Sequence, residues 1–272
     1  MSHHRLIHDR QQVRDFFAEH RRHLDLPLGR KEKEKEKPDA TPVLQEERVC
    51  LLQLCARRKY APQLTRSEKI FDRQMVDFAV DADAEQFVRQ LLRFEAPLDA
   101  FAESQTGILI PSEAFALYLT LNPASTLDAF DLASRQVQAK LVEAARGHQV
   151  GAVSPLNLFF SAVHTEVGGR FEKLDVDTKD AAFIGELRAL FDAHRIEPEF
   201  VIESKNGFHV VMDNKTSYGA ITGRKALLEF VKTRDWLDVN GKDSHPSCVV
   251  PGTLQGGFPT RLVAWPLSAP SC

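Results

Sequence analysis

Apolar positions change rhythm once along this chain, near residue 111. Before that point the spacing is helical. Residues 10–23, RQQVRDFFAEHRRH, place Val13, Phe16 and Phe17 on a polar background, the narrow stripe of an amphipathic helix. Segments 46–60, EERVCLLQLCARRKY, and 67–94, SEKIFDRQMVDFAVDADAEQFVRQLLRF, repeat apolar residues three and four apart and predict further helices. Thr65 or Ser67 is the expected cap of the second run, and Asp81 or Asp83 the point where it restarts. After residue 111 strands and helices mix. FALYLTLN (115–122) predicts a strand and 126–147 a long helix. SPLNLFFSAV (154–163) is another short apolar run. RFEKLDVD (170–177) predicts a strand and 179–194 an amphipathic helix. EPEFVIES (197–204) and GFHVVMD (207–213) predict a hairpin with Asn206-Gly207 in its turn. A helix over 222–236 follows, then strand, glycine-rich turn and strand over 247–265.

This order predicts an α+β protein in three parts. Residues 1–40 are a helix and a linker, 41–110 a helical part, and 111–272 a mixed β-sheet core with flanking helices. The linker is RKEKEKEKPDA (30–40), whose alternating charges have no apolar anchor. Hydrophobic content of 43% over 272 residues is enough for a real core. The formal net charge is −3, so contact with nucleic acid has to come from a local patch. CARRKY (55–60) is a short basic cluster of that kind, though it also reads as a solvated helix end. Cys50, Cys55, Cys248 and Cys272 form no CxxC pair, which argues for reduced thiols in an intracellular protein and against a structural zinc site. No apolar run reaches the roughly 18–20 residues of a membrane span, and no signal-peptide core opens the chain.

The chemistry concentrates in the mixed part. In FEKLDVDTKD, residues 171–180, Asp175 and Asp177 fall on one face of a strand, where alternate side chains point the same way. Two carboxylates that close repel unless water or a cation sits with them. Hard oxygen ligands so placed suit a divalent ion. Asp238 of WLDVN is the expected third carboxylate, with Asp243 as the alternative. SKNGFHVV supplies Ser204 and His209 for the phosphates or sugar of a nucleotide, and Gly207 for a close backbone approach. PGTLQGG (251–257) would shape the opposite wall.

The set LDVDTKD, ESKNGFHVV, WLDVN and PGTLQGGF resembles, in that order, the motifs of the archaeo-eukaryotic primase superfamily, the catalytic core of primases and primase-polymerases. The resemblance covers about residues 111–265. ALYLTLNPAS and GGRFEKLDVD are similar to the lead-in of one branch, which has an arginine where Ala124 stands here. The resemblance implies a primase-like core that joins nucleoside triphosphates to a 3′-hydroxyl on a nucleic-acid template and primer, with two Mg²⁺ or Mn²⁺ ions. Asp175, Asp177 and Asp238 would hold the metal. Ser204, Gly207 and His209 would meet the nucleotide. Lys205, Arg224 and Arg261 would be phosphate or template contacts. The alternative is a primase-like protein that binds nucleotide or nucleic acid without turnover.

Overall fold

The computed structural model describes residues 6–24, 48–77, 83–95, 98–103, 106–151, 153–165, 169–219, 221–239 and 246–267. The charged segment 30–40, Asp81, Asp243 and Cys272 lie outside these residues.

Helix α1 (Arg10–Leu24) starts where the Asp9 carboxylate accepts the N–H groups of Gln11 and Gln12 at 2.8 and 3.2 Å. It buries Val13, Phe16 and Phe17, the stripe its spacing predicts, and also His20. Just before it, residues 6–9 dock on a distant turn. The N–H groups of His8 and Asp9 both donate to the Gly252 carbonyl at 2.7 and 2.9 Å, and the Leu254 N–H donates to the Leu6 carbonyl at 2.8 Å.

Strands β1 (Arg48–Arg57) and β2 (Glu68–Asp77) then replace the helices expected over 46–60 and the first part of 67–94. They pair antiparallel, with a bulge at Leu54/Cys55. The reason is burial on both faces. Val49, Cys50, Leu51, Leu52, Leu54, Cys55 and Ala56 are all buried, so the run carries no polar alternation to announce a strand. Thr65 and Ser67 cap nothing helical, and the described residues of 41–110 hold two long strands beside one α-helix. Helix α2 (Ala84–Arg93) does start at Asp83, whose carboxylate accepts the Glu85 N–H at 3.0 Å.

The mixed part follows its expected order more closely: β3 (Phe115–Thr120), β4 (Ala124–Ser125), α3 (Thr126–Ala145), α4 (Pro155–Thr165), β5 (Phe171–Val176), α5 (Ala181–His194), β6 (Phe200–Glu203), β7 (Phe208–Asp213), α6 (Ile221–Val231), β8 (Leu237–Val239), β9 (Ser247–Val249), β10 (Leu254–Gln255), β11 (Phe258–Pro259) and β12 (Arg261–Val263). Two larger antiparallel sheets result. The first runs β2-β1-β3-β9, with β4 also on β1. The second runs β12-β6-β7-β5-β8. Within it, β5-α5-β6-β7-α6-β8 is a split β-α-β unit of the ferredoxin-like kind. The protein is therefore α+β.

The second sheet has unlike faces. Leu174, Val176, Val201, Val210, Met212 and Leu237 pack under Ile184, Leu187 and Phe191 of α5 and Leu227 of α6. Phe171, Phe200, Ile202 and Val211 join the other core, where Phe16 of α1 meets Phe200 at 5.7 Å between ring centres and His20 meets Phe171 at 5.6 Å. Each large apolar side chain so buried stabilises by about 1.5–3 kcal/mol. By strand alternation, Lys173 and Asp175 fall on the same face as Phe171. Among the described residues no helix is long and apolar enough to cross a membrane.

Candidate functional site

Three expected residues meet in one row across the second sheet. Asp175 on β5 stands directly opposite His209 on β7 and opposite Asp238 on β8. Side chains in such pairs have Cβ atoms about 4.5–5.5 Å apart. Asp177 follows one residue past the end of β5, its N–H donating to the Trp236 carbonyl at 2.8 Å. Asp177 and Asp238 are exposed, while the Asp175 side chain is 23% exposed.

Asp175 is already engaged by the protein's own groups. The Lys173 ammonium lies 3.0 Å from its Oδ2, and His209 Nε2 lies 3.5 Å from its Oδ1. The Lys173 side chain is only 5% exposed. His209 Nδ1 accepts the Val249 N–H at 3.3 Å, which leaves the ring proton on Nε2, facing Asp175. Burial, and next the charge of Lys173, push the His209 pKa down to about 3 against the pull of Asp175. The imidazole is neutral and buried beneath the row. It lies 3.5 Å from Asp175 Oδ1, beside the carboxylate row.

The two sequence-predicted turns touch. The Ser204 N–H donates to the Gly207 carbonyl at 2.8 Å and closes the β6–β7 turn, and Ser204 itself is buried. The Lys205 N–H donates to Gln255 Oε1 at 2.9 Å, and Gln255 Nε2 donates to the Tyr118 hydroxyl at 2.8 Å. Lys205 Nζ donates to the Gly256 carbonyl and lies 4.4 Å from the centre of the Tyr60 ring. Gly207 sits hard against the end of β5. A Cβ there would come 1.7 Å from the Val176 carbonyl oxygen and 2.9 Å from the Thr178 nitrogen. The glycine is thus required by close approach to the strand that carries Asp175.

The basic side of the site comes from CARRKY, a candidate nucleic-acid patch in the sequence that also fitted a solvated helix end. CARRKY is the end of β1 and the turn after it. Burial lowers the Arg57 pKa, but Tyr118, Glu68 and Asp175 more than reverse this and raise it. Its guanidinium pairs with Glu68 at 2.8 Å and covers the Tyr118 ring at 5.2 Å. The Lys59 pKa is lowered by burial and by Arg57, while Asp177 and Asp175 pull it the other way. Lys59 Nζ is 5.1 Å from the centre of the Tyr60 ring. Arg57, Lys59 and Lys205 thus gather at the end of the sheet that holds the carboxylates. Had residues 48–57 been read as a strand, the charges at its end would have pointed here.

Two expected contacts are elsewhere. Arg224 grips Glu172, with Nε 3.0 Å from Oε1, and the Tyr218 hydroxyl donates to the same carboxylate at 3.0 Å. Glu172 alternates with Lys173 and so lies on the helix-covered face. Arg261 pairs with Glu203 at 2.6 Å, and Lys179 takes the other oxygen of that carboxylate at 2.7 Å. Neither arginine reaches the carboxylate row. Ala124 is buried with α3 and α4, a place that would not suit an arginine facing a ligand.

The oxygen donors of Asp175, Asp177 and Asp238 suit a hard divalent cation by type. By position the fit is partial. Among the described residues no group of three or more His, Cys, Asp or Glu side chains converges as metal ligands would. Asp177 and Asp238 are exposed for that role, while Asp175 faces Lys173 and His209. No family model matches this chain, and neither a curated protein nor a solved structure does.

Proposed function

We propose that this chain is a template-directed nucleotidyltransferase of the primase-polymerase type, acting on nucleoside triphosphates and a nucleic-acid primer. The observation that carries the reading is the meeting of the Asp175–Asp238 row and Asp177 with Arg57, Lys59 and Lys205 at one end of one sheet. Mg²⁺ or Mn²⁺ held by Asp177 and Asp238 would neutralise phosphate charge as the bond to the α-phosphate changes hands. Lys59 and Lys205 would meet phosphate oxygens. The turns at 204–207 and 251–257, tied through Gln255, keep Lys205 in place. The protein forms no covalent bond to substrate, so its contribution is positioning and fixed charge. A 3′-hydroxyl attacks the α-phosphate and pyrophosphate leaves.

One observation favours a second reading, a protein that binds nucleotide or nucleic acid without turnover. The Lys173–Asp175 pair relieves the carboxylate repulsion without any added ion. Primer extension separates the two. Labelled primer–template, four nucleotides and Mg²⁺ or Mn²⁺ are supplied to wild type and to Asp177→Asn/Asp238→Asn. Extension by wild type alone is expected. No extension by either, with nucleic acid still bound in chelator, would replace the transferase with the binder.

A further inference from the structure

The residues that share a face of β5 are Phe171, Lys173 and Asp175, so the chain places an ammonium two residues before its first site carboxylate. That ammonium is buried, fixed at 3.0 Å on Asp175 Oδ2, and backed by the buried Cys248 and His209. Oδ1 faces the Nε2–H of His209, whose orientation is set by the Val249 N–H. Asp175 Oδ2 is therefore held by a cation that belongs to the protein and cannot exchange into solvent, while Oδ1 lies beyond hydrogen-bond reach of the neutral imidazole. Asp177 and Asp238 are exposed, and Asp177 feels the charge of Lys59 nearby.

We propose that the Lys173 ammonium stands in the cation position that Asp175 would otherwise offer, so that the site takes one divalent ion fewer than its three carboxylates suggest. This rests on the reading of the carboxylate row as an ion site. It departs from the two-ion expectation that came with the resemblance. Lys173 is a positioning residue here: it fixes Asp175 and supplies a permanent positive charge at the floor of the site, while the exchangeable ion belongs to Asp177 and Asp238.

The test counts bound Mn²⁺ per chain, by electron paramagnetic resonance and by calorimetric titration, on the full chain without substrate. Wild type, Lys173→Met and Lys173→Arg are compared. The expected result is one more Mn²⁺ in Lys173→Met than in wild type, and the wild-type count in Lys173→Arg, which keeps the charge. Mn²⁺ should also raise the melting temperature of Lys173→Met more than that of wild type, because the ion replaces a lost counter-charge. Equal counts in wild type and Lys173→Met overturn the proposal. If those equal counts are above zero, the ion reading of the site survives; if both are zero, it falls as well. Should Lys173→Met not fold, the wild-type count decides alone, since two ions bound beside an intact Lys173 overturn the proposal and a single ion upholds it.

Discussion

A methyl group added at Gly207 tests the geometry on which the whole site depends. The new Cβ would lie 1.7 Å from the Val176 carbonyl oxygen, and real Cβ contacts essentially never fall under 3.0 Å. The obstacle is backbone, so no side chain can swing aside. The β6–β7 turn has to lift off the end of β5. Lifting it loosens the Lys205 N–H bond to Gln255 and the Lys205 Nζ bond to Gly256. Two hydrogen bonds at about 1 kcal/mol each, with about 1–3 kcal/mol of strain, give a loss of about 3–5 kcal/mol. At about 2–4 °C per kcal/mol for a chain near this size, the melting temperature of Gly207→Ala should fall by about 10 °C. Scanning calorimetry reads the shift. Gly185→Ala is the control, because Gly185 is an exposed helix position with nothing within 4 Å of an added Cβ. That change should be neutral or stabilising by about 0.5–1 kcal/mol. A Gly207→Ala protein melting within about 2 °C of wild type would refute the close approach and free the turn from β5.

Three further outcomes are expected. Asp175→Asn leaves the buried Lys173 ammonium without its carboxylate and should cost about 3 kcal/mol in urea unfolding, the low end for a broken buried pair because Asp175 is 23% exposed; Asp177→Asn, at an exposed site, should stay within about 0.5 kcal/mol, and equal midpoints would refute the ion pair. The His209 pKa is held down near 3 by burial and by Lys173, below the unfolded value of about 6.5, so its contribution is fully present above about pH 6.5 and is lost as pH falls toward 3, by about 1.4 kcal/mol per unit. Urea midpoints in chelator should therefore drop more steeply between about pH 6.5 and 4.5 for wild type than for His209→Gln, and parallel curves would refute the buried neutral ring. Arg224→Ala should lower stability through Glu172 yet leave the affinity for a fluorescent nucleotide within about twofold, whereas a tenfold loss would return Arg224 to the site.

The parts of the site that lie on half-buried strands could be read from sequence. LDVD and GFHVV alternate or end in polar residues, and the short link at Asn206-Gly207 gives the hairpin away. Asp238 could be placed on a neighbouring strand from WLDVN, and the register sets it opposite Asp175. What could not be read has a common cause. RVCLLQLCAR is buried on both sides, so its apolar spacing fits a helix as well as a strand. That one misreading hid the first sheet and moved Arg57 and Lys59 away from the site. The partners of Lys173, Arg224 and Arg261 depend on which face of the sheet each occupies and on what lies opposite, which a single strand pattern does not state.

The docking of residues 6–9 on the turn at Gly252 bears on how the protein is made. Residues 6–24 leave the ribosome well before the Leu262 N–H that donates to Gln12 Oε1, which follows 250 residues after its partner. Until residues 171–200 are made, Phe16 and His20 lack Phe171 and Phe200, and until residues 252–262 are made α1 lacks its contacts with Gly252 and Leu262. Contacts so distant along the chain form slowly and leave apolar surface open in the meantime. Phe17 can find Phe87 early, whereas Phe16 and His20 wait for residues 171–200, and the seating of α1 waits for residues 252–262 to leave the ribosome.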